Sequence, residues 1–435
     1  MTEYTPMKNL PAAPGYKKGD LFVLFGELFG RGYANGIVDE ARRAGMTVVG
    51  ATVGRRDNGG ELRPLTPQEL AEAEANLGGK IINVPLEAGF DLEPADDGIS
   101  PVERLKGIKP DDWETVRFGE EILQQSRRRG IERLRTNMEQ FIAELTPLIP
   151  AEGSLLFAHT MAGGIPRARF FMPLLNRIFK GTSDKFLPSE PFWNSDLGRL
   201  CQLNFNEVTG NTFGGLLEST AAIRAGVEAR GGAVRYVAYG YHGCGVLLGG
   251  EYVWQSYTPY VQGEAKMLLE DIAVEATRNG ISAAVYNCPE IQTNSSALFL
   301  GVELSLYPFL AALEREGGGP VAEQARRDCA ALLKEGGSLE LMLARADDYL
   351  ASPLMAGFMD FAAWPQHNVK EQMAFMLERS QELMAMSADQ KRVVCAELSR
   401  LVFQGVGRLM FDDSWAPQGP VLWLNHDIIA RRLLS

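Results

Sequence analysis

Cysteine and histidine are scarce in this chain of 435 residues. The cysteines are scattered, odd in number and without any Cys-x-x-Cys spacing, which argues against a disulfide framework and against a zinc site. They are Cys201, Cys244, Cys288, Cys329 and Cys395. The histidines, His159, His242, His367 and His426, also lack the spacing of metal ligands. We therefore expect a protein of a reducing compartment with no metal site.

Long hydrophobic runs are missing as well. No stretch approaches the roughly 20 apolar residues that a membrane-spanning helix needs, and the proline-containing lead of residues 1–19 has no apolar signal core. Hydrophobic residues make up 46% of the chain and charged residues 23%, as in ordinary globular proteins. These features predict a cytoplasmic protein without a membrane span.

Positive charge is in deficit, since the net charge is −12. A nucleic-acid binder needs a clustered cationic surface, so we expect no nucleic-acid partner. One basic run does occur, "SRRRGIERLR" at residues 126–135. Such a run could dock an acidic carrier protein, although a solvated helix face is the commoner arrangement.

Strand and helix patterns alternate along the first 310 residues. An apolar strand, Leu21–Phe25, leads into a glycine turn, an amphipathic helix and a second apolar strand that ends in two arginines. Further buried strands are predicted in "KIINVPLEA", "GSLLFAHTMAGG", "AVRYVAYGYHG" and "ISAAVYNCPEIQT". Six strands alternating with helices predict an α/β fold with a Rossmann-type, doubly wound parallel sheet.

The same pattern predicts the domain organisation. The Rossmann-type catalytic domain is expected to span residues 20–310, with helical insertions at about 92–150 and 165–200. Residues 311–435 show apolar positions at three- and four-residue spacing, which predicts a helical C-terminal extension packed on the sheet domain.

The turn after the first strand, "GELFGRG", places Gly26, Gly30 and Gly32 between a strand and a helix. Gly26 can make a tight turn, and the other two permit close backbone approach, so a pyrophosphate could lie on the helix N-terminus. The pattern predicts a dinucleotide site. The alternative is a glycine-rich connection without a ligand.

The residues at the ends of the second and third strands bear on the choice of nucleotide. Arg55 and Arg56 follow the second strand, where arginine accommodates a ribose 2′-phosphate, so NADPH is slightly favoured over NADH. The two arginines could equally form a solvated turn. Asp91, after the third strand, could meet the adenine edge or cap the next helix.

Tyr257 and Lys266 are nine positions apart, between the fifth strand and the next helix. They would lie near the carboxyl end of the sheet, where a ligand bound at the glycine turn presents its reactive ring. A phenol can donate a proton to an oxygen that gains charge, and a nearby ammonium lowers the phenol pKa. Tyr241, which leaves the same strand, is a second candidate. Alternatively, Tyr257 is an interface aromatic and Lys266 a surface charge.

The glycine turn resembles the cofactor turn of the short-chain dehydrogenase/reductase superfamily. The Tyr-x8-Lys spacing, together with "VAYGYHG", "GEAK" and "QTNSSALF", resembles the FabV-type trans-2-enoyl-ACP/CoA reductases. The resemblance implies that Tyr257 is the catalytic tyrosine, Lys266 its partner and Tyr241 an additional active-site tyrosine. The chain departs from that family in its early glycine turn, in the extra residues "GCGVLLGG" before Tyr257, and in its two arginines, because family members often prefer NADH.

The resulting hypothesis is an NAD(P)H-dependent reductase of the C=C bond of 2-enoyl thioesters, in fatty-acid synthesis or a related pathway. Hydride goes to the β-carbon, Tyr257 stabilises or protonates the enolate oxygen, and Lys266 tunes the phenol and binds ribose. The thioester is the expected partner, with acyl carrier protein as a candidate carrier, and the apolar insertion at 165–200 either walls the acyl chain or packs as core. A different short-chain reductase, acting on a carbonyl or polyketide-type intermediate, and a non-catalytic nucleotide-binding module are the alternatives.

Overall fold

Seven parallel strands form the central sheet, in the order β3-β2-β1-β4-β5-β6-β7. The computed structural model describes residues 2–57, 59–256, 260–293 and 301–435. The strands are β1 (Leu21–Phe25), β2 (Thr47–Thr52), β3 (Lys80–Pro85), β4 (Leu155–His159), β5 (Val234–Gly240), β6 (Ala283–Asn287) and β7 (Val421–Trp423). This is a Rossmann-type sheet, as the sequence predicts, and its first six strands coincide with the six predicted ones.

The seventh strand was not predicted, because β7 has only three residues and lies among helices. It pairs with β6 in parallel, with Val285 opposite Val421 and Asn287 opposite Trp423. The helical C-terminal region therefore also completes the sheet. The domain boundary near residue 310 stays a prediction, and β7 pairs with β6 across it.

The described residues also form sixteen α-helices. They are α1 (Ala34–Arg43), α2 (Pro67–Leu77), α3 (Pro101–Arg104), α4 (Glu120–Leu145), α5 (Phe171–Lys180), α6 (Ser189–Trp193), α7 (Asp196–Phe205), α8 (Thr212–Ser219), α9 (Ala221–Ala229), α10 (Tyr260–Arg278), α11 (Phe309–Arg315), α12 (Gly319–Ala330), α13 (Leu339–Leu350), α14 (Lys370–Ala385), α15 (Val394–Ser414) and α16 (His426–Leu434). None of these helices is long and apolar enough to cross a bilayer.

Shorter elements complete the fold. A π-helical segment, Asn206–Asn211, joins α7 to α8. In the part of the chain that the structure describes, two antiparallel hairpins lie outside the sheet: Arg55–Arg56 pairs with Leu62–Arg63, and Cys244–Leu248 pairs with Glu251–Gln255. Turns of 3₁₀ helix are at Pro110–Thr115, Thr146–Leu148, Ser183–Lys185, Val302–Leu306, Pro353–Met359 and Phe361–Ala363.

Alternation along β1 divides the core between the two faces of the sheet. Phe22 and Leu24 belong to a cluster with the C-terminal helices, whereas Leu21, Val23 and Phe25 pack on the opposite face. Every residue of this strand is buried, which explains why its sequence is apolar throughout rather than alternating.

The two insertions pack against each other in a separate cluster. Trp113 from the first insertion lies in it with Phe171, Leu174, Phe192 and Leu197 from the second, and all five side chains are buried. The apolar residues of the second insertion thus form core, one of the two expected roles. The role as a wall for an acyl chain stays a prediction.

Helix α1 is held against α15 by a close crossing of backbones. A Cβ atom built on Gly36 would lie 2.1 Å from the carbonyl oxygen of Phe403, and one built on Gly407 would lie 2.2 Å from the carbonyl carbon of Gly36. Side chains are therefore excluded at both glycines. This contact fixes the helix that begins at the glycine turn.

Gly407→Ala is expected to destabilise the protein by about 1–3 kcal/mol, because the added methyl group would force the two helices apart. The matched control is Gly215→Ala in α8, where an added Cβ has no atom within 4 Å. That variant should gain about 0.5–1 kcal/mol from helix propensity. Urea denaturation measures both effects. Equal midpoints for the two variants would contradict the proposed constraint.

Candidate active site

The glycine turn lies where the strand order reverses, between β1 and β4. Gly26 has φ of +138°, and a Cβ atom on it would lie 2.3 Å from Thr160 Oγ1 of the adjacent segment. Glycine is required here both by the backbone angle and by the close approach. In open α/β sheets this reversal creates the crevice in which ligands bind.

The other two glycines of the turn face open space. A Cβ atom on Gly30 or Gly32 would have no atom within 4 Å. Helix α1 then begins at Ala34, and its N-cap residue, Tyr33, makes no capping hydrogen bond through its side chain. The turn thus leaves room beside a helix N-terminus, an arrangement that suits a phosphate group. Its role in cofactor binding stays a prediction.

Arg55 is paired with an acid that the sequence analysis did not single out. Its Nη1 donates to Glu27 Oε1 at 2.7 Å. The same oxygen accepts hydrogen bonds from Thr52 Oγ1 at 2.6 Å and from the Val53 N–H at 3.2 Å. The carboxylate of Glu27 therefore occupies the end of β2, although the residue belongs to the turn after β1.

Arg56 is also paired with acids. Its Nε donates to Glu87 Oε2 at 2.7 Å, its Nη2 lies 3.6 Å from Glu93 Oε1, and its Nη1 donates to the Gly60 carbonyl at 2.7 Å. Only 12% of its side chain is exposed. Both arginines would have to exchange carboxylate partners to bind a 2′-phosphate, so these contacts do not support the expected preference for NADPH.

Asp91 is buried and tied to the region after β4. Its Oδ2 accepts from the Arg167 N–H at 2.7 Å, and its Oδ1 accepts from Asn204 Nδ2 at 3.3 Å. Burial raises the pKa of its carboxyl group. The next helix, α3, is capped by Ser100 instead. Contact of Asp91 with an adenine ring stays a prediction.

Lys266 reaches the carboxyl end of β5 from α10. Its Nζ donates to the carbonyl oxygen of Tyr239 at 2.7 Å. Desolvation lowers the pKa of Lys266 to about 8, because a charged ammonium is less stable away from water. The lysine is thus a half-buried group at the edge of the sheet, not the exposed surface charge of the alternative interpretation.

Tyr241 follows β5 directly, and its hydroxyl donates to Glu290 Oε2, just beyond β6. The ends of these strands also contact the glycine turn. The Tyr33 hydroxyl donates to the Pro289 carbonyl, and the Tyr239 hydroxyl donates to the Tyr33 carbonyl at 3.2 Å. The structure therefore brings Lys266 and Tyr241 together at the edge of the sheet that carries the turn. Tyr257 lies outside the described residues.

His159 at the end of β4 and His242 just after β5 each have a polar partner. Thr212 Oγ1 donates to the Val208 carbonyl and therefore accepts from His159 Nε2, which lies 2.9 Å away. Burial, reinforced by the charge of Lys266, lowers the pKa of His159 well below its usual value. His242 is fully buried, and its Nδ1 lies 3.0 Å from Glu270 Oε1.

Three acids near these groups were missed by the sequence analysis: Glu27, Glu270 and Glu290. Glu290 comes directly after "YNCP" at the carboxyl end of a predicted strand, and that position was a usable signal. Glu27 follows Gly26 within the glycine turn. Glu270 lies four residues after Lys266, hence on the same face of α10.

The basic run lies on α4, and three of its arginines are paired within the chain. Arg127 Nε lies 2.6 Å from Glu207 Oε1, Arg129 Nη2 lies 3.2 Å from Asp96 Oδ1, and Arg133 Nε lies 3.2 Å from Glu93 Oε1. These ion pairs engage three of the arginines that docking would use, and docking of an acidic carrier protein on this run stays a prediction.

The chain is similar to known proteins over nearly its whole length. Residues 3–433 match the family model described as enoyl-acyl carrier protein reductase FabMG. An apo structure of FabMG, described as a novel type of this reductase, is 50% identical with a TM-score of 0.95; the match covers 100% of this chain and 98% of that one. An NADH-bound structure of FabMG is 42% identical with a TM-score of 0.80, covering 100% of this chain and 99% of that one. No curated protein matches.

These findings decide among the three functions considered. The enoyl reductase class that the sequence resemblance implied is confirmed, although the matching family is named FabMG and not FabV. The chain therefore belongs to the FabMG family of enoyl-acyl carrier protein reductases, which makes it an oxidoreductase acting on C=C bonds.

Proposed function

We propose that this protein reduces 2-enoyl thioesters of acyl carrier protein with NADH, at the edge of the sheet where β1, β4, β5 and β6 end. One observation carries the proposal. Tyr33, directly after the glycine turn, contacts Tyr239 and Pro289 at the strand ends where Lys266 and Tyr241 lie, so the turn and these two side chains lie at the same edge of the sheet. A cofactor held at the turn would extend across the crevice toward these groups.

The residues of the turn fit a dinucleotide. Gly30 and Gly32 leave space for a pyrophosphate at the N-terminus of α1, and Lys266 is the candidate to hold the nicotinamide ribose. A reduced nicotinamide cofactor, when bound, supplies the hydride for the β-carbon of the substrate. The NADH-bound relative supports NADH as that cofactor.

Tyr257 is proposed to stabilise or protonate the enolate oxygen that forms when the β-carbon is reduced. An ammonium group nearby favours the ionised phenol and so lowers its pKa, and Lys266 is proposed to have this role. The hydroxyl of Tyr241 donates a hydrogen bond to Glu290, which leaves it poorly suited to donate to the substrate at the same time. In this scheme Tyr241 orients neighbouring groups, and Tyr257 is the donor.

Tyr257→Phe tests the catalytic assignment, because it removes one hydroxyl with little change in volume. We expect kcat with a 2-enoyl thioester to fall by about 10²–10⁴-fold, the usual contribution of a positioned acid. Tyr252→Phe is the matched control. Tyr252 lies on a hairpin outside the sheet and its hydroxyl donates to Glu316, so kcat should be nearly unchanged when this hydroxyl is removed. A Tyr257→Phe enzyme with the wild-type rate would show that another group supports the enolate.

The pH dependence tests Lys266. With a pKa lowered to about 8, Lys266 is mostly charged at pH 7 and loses its proton as the pH rises through 8. If the cation is required, kcat/KM for NADH should fall above about pH 8, since this ratio reports groups of the free enzyme. Lys266→Met should lower kcat/KM at pH 7 and remove that limb of the profile. Lys18 is an exposed lysine before β1, and Lys18→Met should keep both the wild-type kcat/KM at pH 7 and its fall above about pH 8. If kcat/KM of Lys266→Met still fell above about pH 8 as in the wild type, a group other than Lys266 would cause the fall.

The substrate assignment is tested by following nucleotide absorbance with crotonyl and 2-dodecenoyl thioesters of acyl carrier protein, each with NADH and with NADPH. Oxidation of NADH with either thioester is expected, with formation of the saturated acyl product. Absence of oxidation, together with measurable binding of NADH, would contradict the proposed substrate while leaving the cofactor site in place.

A further inference from the structure

Glu27 places a carboxylate at the end of β2, although the sequence of β2 and the residues directly after it contain no acidic residue. The strand ends in Thr52, followed by Val53, Gly54 and Arg55. Yet the Glu27 carboxylate accepts hydrogen bonds from Thr52, Val53 and Arg55, and only 12% of its side chain is exposed. In dinucleotide folds an acid at the end of the second strand binds the ribose 2′-hydroxyl. Here the acid reaches that place from the turn after β1.

A cavity of about 220 Å³ opens at this point, between the glycine turn, the end of β2 and helix α2. Gly26, Glu27, Thr52 and Arg55 line one side of it, and Glu69 and Glu72 of α2 line the other. It therefore adjoins the proposed pyrophosphate site on the side where the adenosine ribose of a dinucleotide lies.

The charges around the cavity disfavour an added phosphate. Three carboxylates line it, from Glu27, Glu69 and Glu72, and Arg55 is already paired with Glu27. Two nearby cations are also engaged: Arg63 forms two hydrogen bonds to Glu69, at 2.7 and 3.0 Å, and Arg42 donates to the carbonyl oxygens of Asn76 and Leu77. A 2′-hydroxyl can donate to a carboxylate, whereas a 2′-phosphate would be repelled by it.

We propose that Glu27 is the residue that selects NADH over NADPH in this protein. It accepts a hydrogen bond from the ribose 2′-hydroxyl, and its pairing with Arg55 keeps that guanidinium from a 2′-phosphate. The inference rests on the proposed cofactor site at the glycine turn. The two paired residues thus have opposite effects: Arg55, which by itself suggests NADPH, is held by Glu27, which excludes the 2′-phosphate.

Glu27→Gln tests this assignment because it removes the charge and keeps the shape. The probes are ADP-ribose and 2′-phospho-ADP-ribose, whose dissociation constants are measured by calorimetry without turnover. Wild-type protein should prefer ADP-ribose. In Glu27→Gln the affinity for the 2′-phosphorylated probe should rise about tenfold or more, since Arg55 becomes available, and that for ADP-ribose should fall several-fold.

Two further variants separate the specific effect from a general change of charge. Adding Arg55→Gln to Glu27→Gln should abolish most of the gain in affinity for 2′-phospho-ADP-ribose. Glu72→Gln removes one charge from the same cavity but leaves Arg55 its partner, and it should change the ratio of the two affinities by less than about threefold. Thermal unfolding of each variant establishes that it is folded.

The outcomes are distinguishable. If folded Glu27→Gln and wild-type protein show the same ratio of affinities, Glu27 does not select the nucleotide. A Glu72→Gln ratio that shifts as much as that of Glu27→Gln would also overturn the proposal, in favour of nonspecific repulsion. If folded wild-type protein binds neither probe, the cofactor site of the proposed function is itself wrong.

Discussion

The close approach of Gly26 to Thr160 is the constraint on which the site depends. The strand order reverses between β1 and β4, so the segments that leave these strands diverge and open a crevice. With no side chain at Gly26, the turn can lie directly against the segment after β4. The rigid sheet below and the glycine crossing of α1 with α15 then fix where the N-terminus of α1 points.

Tyr33 links the glycine turn to the ends of β5 and β6. It occupies the N-cap position of α1, and its hydroxyl and carbonyl contact Pro289 and Tyr239 at the ends of β6 and β5. Lys266 binds the carbonyl of the same Tyr239. Displacement of the turn would therefore move the backbone that positions the lysine. The proposed cofactor turn and the proposed catalytic lysine thus belong to one hydrogen-bonded chain through Tyr33 and Tyr239.

The sequence was sufficient to predict the parallel sheet, because buried strands of this type are apolar runs of five to seven residues bounded by glycine or polar turns. The sequence was also sufficient to predict that Gly26, Lys266 and Tyr241 lie at one edge of the sheet, since the carboxyl ends of parallel strands share an edge. The strand β7 could not be recognised, because three apolar residues carry no period. The ion pairs of Arg55 and Arg56 were equally hidden: their partners, Glu27 and Glu87, lie about thirty residues away in the chain and meet them only in the folded sheet.

The buried group of His242, Glu270 and Asn287 explains how Lys266 is held. Glu270 Oε1 lies 3.0 Å from His242 Nδ1 and accepts from Asn287 Nδ2 at 2.9 Å, while Asn287 Oδ1 accepts from the His242 N–H at 3.1 Å. A buried carboxylate without such partners would be strongly destabilising, so these bonds fix the register of α10 against β5 and β6. Glu270 lies one helical turn after Lys266. These contacts to Oε1 of Glu270 thus set the position of Lys266 along the sheet edge. Without them, the flexible lysine side chain would be free to turn toward solvent.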